Sequence, residues 1–192
     1  LEAFQHAINK QTLDFFLTNS GHYVQLEVEA GATRLATFRS RAGEQILDHF
    51  GAVLFTRRDS DVLNLQDLRG RTLAAVGAEA FGGYQLAKLA FHRAGMTIED
   101  NLQVQWLGFP HADILVAVME GRADAGIVRA GVLERLSASG RLDLDEIRVL
   151  EARSHDGFPY LHSSDLYPEW PFARLPHVDS ELARQVTLAL LS

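Results

Sequence analysis

A chain of 192 residues, 47% hydrophobic and 22% charged, has an ordinary globular make-up and is long enough for one sizeable α/β domain or two small lobes. Its formal net charge of −7 excludes a general nucleic-acid surface, which needs clustered cations to release counterions; even the Arg57, Arg58 pair is flanked by Asp59 and Asp61. It has no cysteine, so disulfides and thiolate metal sites are excluded, and no apolar run is long enough to span a bilayer.

The sequence opens at Leu1 without an initiator Met, and Leu1, Phe4 and Ile8 share one helical face, so it reads as starting inside a helix of something longer. Residues 13–18 (LDFFLT) suit a strand buried on both faces. A helical stretch over 22–29 follows and stops at Gly31; 35–38 and 51–56 (GAVLFT) read as further strands. After a short helical turn over 65–70, residues 72–76 (TLAAV) form a strand, and a glycine-bearing loop, 77–83, leads into a helix that Gly95 caps. Strand 102–106, helix 111–120, strand 123–128, helix 131–139 and strand 147–152 complete a regular alternation, which implies parallel βαβ units with right-handed crossovers. The last quarter differs: four of the five prolines lie in 158–176, a stretch that reads as irregular. A final amphipathic helix runs from about 179 to 191, with Asp179 or Ser180 as N-cap.

Little in the sequence points to catalysis. The 77–83 loop has neither the Lys-Ser/Thr pair of a P-loop nor Rossmann glycine spacing, and is either a ligand-contacting loop or a plain tight turn. None of the eight histidines has metal-site spacing, and there is no Gly-x-Ser-x-Gly elbow. His22 and His111 each open a helix just after a strand, where open α/β sheets present ligand-binding groups; the alternative for either is a solvated first-turn residue. Arg129 follows an apolar strand directly, at the same kind of edge, and is suited to clamp a carboxylate or sulfonate bidentately; the alternative is a surface arginine pairing with Glu134 or Glu120. Among the aromatics of 158–172, Tyr160 and Trp170 are the candidates for lining a pocket rather than covering the core.

Several segments together resemble a known family. The run DLRGRTLAAV (67–76) looks like the segment that leads into the second lobe of type II periplasmic binding proteins. GFPHAD (108–113), followed by VAVMEGRADAG (116–126), resembles the phosphonate-binding branch, in which a histidine reaches the ligand cleft; His111 occupies that position. DFFLTNSGHY (14–23), Phe81-Gly82-Gly83 and LHSSDLYPEWPF (161–172) are similar to the extracytoplasmic sensor domains of tetrathionate-sensor-like histidine kinases. One departure stands out: phosphonate binders place Ser and Thr at the helix mouth, where this sequence has Ala80, Phe81 and Gly82.

The resemblance implies an α/β, two-lobed type II periplasmic-binding-protein fold, with residues 1–56 and 150–192 forming lobe one and 57–149 lobe two. It further implies that the first strands of lobe one are missing, leaving a sheet edge for a second copy, a tag or a swapped segment to cover. A small, anionic molecule would bind between the lobes, and closure around it would be the signal. Together with the positions read above, it nominates Asn19, His22, Tyr23, Phe81, Gly82, Gly83, His111, Arg129 and Tyr160 as ligand-binding residues, with no catalytic residue, metal or cofactor. The expected partners are the small-molecule ligand, the membrane-anchored kinase portion of the same chain and a homo-oligomer, with no nucleic acid. The expected place is the periplasm, as the extracytoplasmic domain of an inner-membrane protein. A solute-binding protein of an ABC transporter is the alternative, and an enzyme on the same fold a third reading.

Overall fold

The computed structural model describes residues 2–192. In chain order its elements begin with helix α1 (Glu2–Asn9), strand β1 (Phe15–Leu17), helix α2 (Ser20–Ala30) and strands β2 (Thr33–Thr37), β3 (Ser40–Ala42), β4 (Gln45–Leu47), β5 (His49–Phe50) and β6 (Ala52–Arg57). Then come β7 (Thr72–Ala75), α3 (Leu86–Arg93), α4 (Ile98–Asn101), β8 (Gln103–Trp106), α5 (Ala112–Met119), β9 (Ala125–Arg129) and α6 (Val132–Ala138). The chain closes with β10 (Ile147–Leu150), β11 (Tyr167–Pro168), β12 (Pro171–Arg174) and α7 (Ser180–Leu191). Contacts divide it into two compact units, Leu1–His49 with Tyr167–Ser192, and Phe50–Leu166. The lobes expected from sequence change over instead near 56 and 150; residues there lie in β6 and β10, which pair with each other from Ile147↔Arg57 to Leu150↔Leu54.

Unit one is built on an antiparallel sheet of order β1-β12-β2. Side chains alternate across β1. Phe16 is buried with Ile8, Tyr23, Leu26, Ala32, Ala173 and Leu175, whereas Phe15 stacks on Phe172 with ring centroids 5.8 Å apart. Phe4 packs edge-on to Phe16 at 5.6 Å, and Leu1 of the expected apolar face lies outside the described residues. Helix α2 starts because the Asn19 carboxamide accepts from the His22 N–H (2.9 Å), and it ends at Gly31, whose φ of +67° suits a residue without a Cβ. Two features were not expected from sequence. A β3–β4 hairpin turns at Gly43, and β12 rises out of the proline-rich stretch read as irregular. Pro171 is the first residue of β12, a position where a strand tolerates a residue without an N–H.

Unit two holds a five-stranded sheet of order β10-β6-β9-β7-β8. Strands β7 and β8, and β7 and β9, pair in parallel, as the alternation predicts. Strand β6, which precedes that alternation, runs antiparallel to both neighbours, β9 and β10. Periodicity records that β6 is buried on both faces, not which way it runs: Ala52 to Phe55 are all at most 2% exposed. Phe55, Ile114, Val118, Val128 and Leu133 form the centre of this core, and each such side chain contributes roughly 1.5–3 kcal/mol on burial. Packing is tightest at Gly126 on β9, where a Cβ would lie 2.8 Å from both Ile114 Cγ2 and Phe55 Cζ.

Candidate ligand site at the sheet edge of unit two

Because β7, β8 and β9 run in one direction, their C-terminal ends share one edge of the sheet, and each is followed by a turn into a helix. Strand β6, running the other way, begins at that same edge, with Ala52 opposite Arg129. Four segments therefore converge: Phe50-Gly51 before β6, the 77–83 loop after β7, residues 107–111 after β8, and Arg129 with Gly131 after β9. The loop after β7 closes in a π-helical turn, Phe81–Gln85, that runs straight into α3.

The side chains at this edge are closely interleaved. The Arg129 guanidinium lies over the Phe50 ring, 4.2 Å from its centroid, and Phe50 meets Phe81 edge-on at 5.9 Å. Gly82 is buried because Phe50 occupies the space a side chain would need: a Cβ there would be 3.0 Å from Phe50 Cε2 and 3.6 Å from Arg129 Cβ. Gly83 packs within the turn, its Cβ position 3.1 Å from Val76 Cγ2. At the head of α6, Gly131 has φ +86°, and the Tyr160 ring and the Arg135 guanidinium fill the place of its missing side chain, at 2.9 and 3.1 Å.

His111 stands at the N-cap position of α5, edge-on to Phe109 at 5.2 Å. Its Nδ1 is buried and has no hydrogen-bond partner among the described residues. Burial first, then the charges of Arg135 and Arg129, push the imidazole down to about 4. At neutral pH it is uncharged. An orphaned acceptor costs less than an orphaned donor, so the favoured tautomer carries its proton on Nε2 and offers an N–H. The edge thus provides two guanidinium groups, one neutral donor, and apolar walls from Phe50, Phe81 and Tyr160: a set suited to an anion with apolar surroundings.

Of the residues singled out from sequence, Phe81, Gly82, Gly83, His111, Arg129 and Tyr160 come together here. Asn19, His22 and Tyr23 belong to unit one. Asn19 caps α2, and His22 Nδ1 lies 3.0 Å from the Thr18 hydroxyl. Tyr23 is buried; its hydroxyl donates to Glu27 Oε1 (2.7 Å) and accepts from the Arg34 N–H (3.1 Å), and burial raises its pKa. Trp170 is also in unit one and is 38% exposed. Phe50, Gly131 and Arg135 were not found from sequence. Phe50 directly precedes a recognised strand, so its place was available; Arg135, one turn into a helix, reads in sequence as a solvated charge. The serines of the 161–172 motif are structural: Ser163 Oγ donates to the Leu150 carbonyl (2.6 Å) and accepts from the Leu54 N–H, and Ser164 Oγ accepts from the Ala52 N–H, fastening this segment to β6 and β10. Among the described residues no group of three or more His, Asp or Glu could hold a metal ion, and no helix is long and apolar enough to cross a membrane.

A mixed α/β chain whose βα turns gather at one sheet edge has the architecture of type II periplasmic binding proteins. The chain belongs to the family of periplasmic substrate-binding proteins of phosphonate ABC transporters, which it matches over residues 1–192. It is 37% identical, over its whole length, to the tetrathionate sensor histidine kinase of Salmonella typhimurium, and spans 32% of that protein. Among solved structures it is similar to a Xanthomonas citri protein bound to ATP (19% identity, TM-score 0.78, 99% of this chain and 67% of that one). It is also similar to the Prochlorococcus marinus protein PhnD1 in complex with methylphosphonate (14% identity, TM-score 0.63, 97% and 65%). At these identities the solved structures speak to the fold alone.

Proposed function

We propose that this chain is the ligand-binding, extracytoplasmic sensor domain of a membrane-anchored histidine kinase, and that it binds a small anion at the sheet edge of unit two. The observation that carries the reading is the convergence of Arg129, Arg135 and an uncharged His111 on that one edge. The sensor role is supported by the identity with the Salmonella kinase across the whole chain. The alternative, a solute-binding protein that serves a transporter, is favoured by the family's own description; the gene sequence beyond Ser192 separates the two, since a membrane helix and kinase would follow only in a sensor.

The test is a thermal-shift and calorimetric titration of the chain with tetrathionate, thiosulfate, methylphosphonate and small carboxylates. A ligand that binds only the folded state raises the melting temperature by mass action, about 2.7 kcal/mol at a hundred times Kd. We expect a shift from at least one anion and its loss in Arg129→Ala. No shift from any member of the panel would overturn the anion reading.

A further inference from the structure

We propose that unit one holds a second binding site, a groove over its sheet that takes an alkyl chain carrying an anionic head group. It shares no residue with the site of unit two and does not depend on it. The groove follows from strand alternation. On β1 and β12, Phe16 and Ala173 point into the core of unit one, so Leu17 and Phe172 point to the opposite face. The ladder sets Leu17 opposite Phe172 and Phe172 opposite Ala36, an apolar row across all three strands that is about 10 Å wide. Helix α7 packs against β2 and buries only Ala183 of its own side chains. Its last leucines, Leu190 and Leu191, stay exposed and form one wall, and Phe38 lines the groove as well. The groove encloses about 900 Å³, within the range of small-molecule sites.

Scattered exposed apolar side chains are ordinary on a protein surface, but Leu17, Phe38, Leu190 and Leu191, between 48% and 72% exposed, all line this one groove. Charge sets the other end of the ligand. Two exposed arginines, Arg34 and Arg39, line the groove against a single carboxylate, that of Asp48, whose Oδ1 lies 2.5 Å from His49 Nδ1. The lining is thus net positive in a chain whose net charge is −7. Because both arginines are exposed, an anionic head can meet them without leaving water, while its tail lies on the apolar row. A compact oxyanion would leave that row wet; an alkyl chain covers it, each methylene adding to the affinity. The apolar lining is concave, which admits a single chain and not the plane of a bilayer.

The experiment is a calorimetric titration of the 192-residue chain at pH 8 with hexanoate, octanoate and decanoate, each below its micelle concentration. Affinity should rise about threefold to fourfold per methylene. Octanoate should bind at least about tenfold more tightly than octylammonium, which has the same chain and the opposite charge. The double variant Arg34→Gln, Arg39→Gln should bring those two within about threefold of each other. Leu17 is exposed, so Leu17→Asp should keep the fold by circular dichroism and abolish octanoate binding. No saturable binding, binding without a chain-length trend, or equal binding of octanoate and octylammonium overturns the proposal. Displacement of octanoate by an anion of the panel above places the acid at the edge of unit two, which removes the groove and leaves the anion site standing. A dimer in sedimentation, or pelleting with anionic vesicles, that Leu17→Asp abolishes makes a second copy or a membrane the occupant and overturns it too.

Discussion

Replacing Gly131 by alanine tests the candidate site and the local packing at once. Two costs arise. At φ +86° an L-residue is strained by roughly 1–2 kcal/mol, and the new Cβ meets Tyr160 Cε2 at 2.9 Å and Arg135 NH1 at 3.1 Å, which displaces both. The contacted atoms belong to a ring edge and to the end of a flexible side chain, so the overpacking lies at the low end of the usual range, about 1 kcal/mol. The total is about 2–3 kcal/mol, which for a chain of this size lowers the melting temperature by roughly 4–12 °C. Gly140→Ala is the control: it has the same left-handed backbone (φ +70°) with nothing within 4 Å of the Cβ position, so it carries the strain without the contact. Thermal melts followed by circular dichroism should place Gly131→Ala below Gly140→Ala, and titration with the best anion should show weakened binding in Gly131→Ala alone. If the two variants melt together and both bind like the wild type, Tyr160 and Arg135 are not packed over residue 131 and the site as described is wrong.

Gly126→Ala drives a methyl into Phe55 and Ile114, both fully buried, and should cost about 1–3 kcal/mol in urea denaturation with no specific effect on anion affinity. Asn19→Ala removes the cap of α2 and should destabilise by about 1 kcal/mol, with Asn19→Asp close to wild type; an equal loss in both would speak against capping. His111 gives a pH dependence whose sign is fixed by its depressed pKa. Protonation is easier in the unfolded chain, at about 6.5, than in the folded one, at about 4, so the unfolded state takes up the extra proton. Stability therefore falls as pH drops through that window, and His111→Gln should flatten this part of the curve.

The regular part of the architecture was legible because buried strands and amphipathic helices write their period directly into the chain. TLAAV and ADAGIV announced β7 and β9, and glycines 95, 121 and 140 marked the ends of helices. Strand direction has no such signature, so 51–56 could be read as a strand but not as the reversed one. The prolines of 158–176 hid β12, because the lack of an N–H matters only where the ladder needs one, and Pro171 stands at the strand's start. At the site, His111 and Arg129 could be chosen from their places just after strands. Arg135 could not: as an exposed arginine on a short helix it reads as a solvated charge, and its importance comes from folding back over a glycine one turn away.

The strand order of unit one has a consequence for how the molecule is made. Strands β1 and β2 are not paired with each other; β12 lies between them and bonds to both, from Phe15↔Arg174 on one side to Pro171↔Thr37 on the other. On a ribosome, β1 and β2 are made before the strand that joins them, and wait for it while the whole of 50–166 is synthesised. The intervening unit suffers no such delay, since its sheet is drawn entirely from its own continuous segment and its two ends meet, the Cβ position of Gly51 lying 3.2 Å from Leu166. Unit two can therefore finish first, and the three-stranded sheet of unit one closes only when β12 follows, an order that leaves β1 and β2 dependent on whatever shields unpaired edges during synthesis.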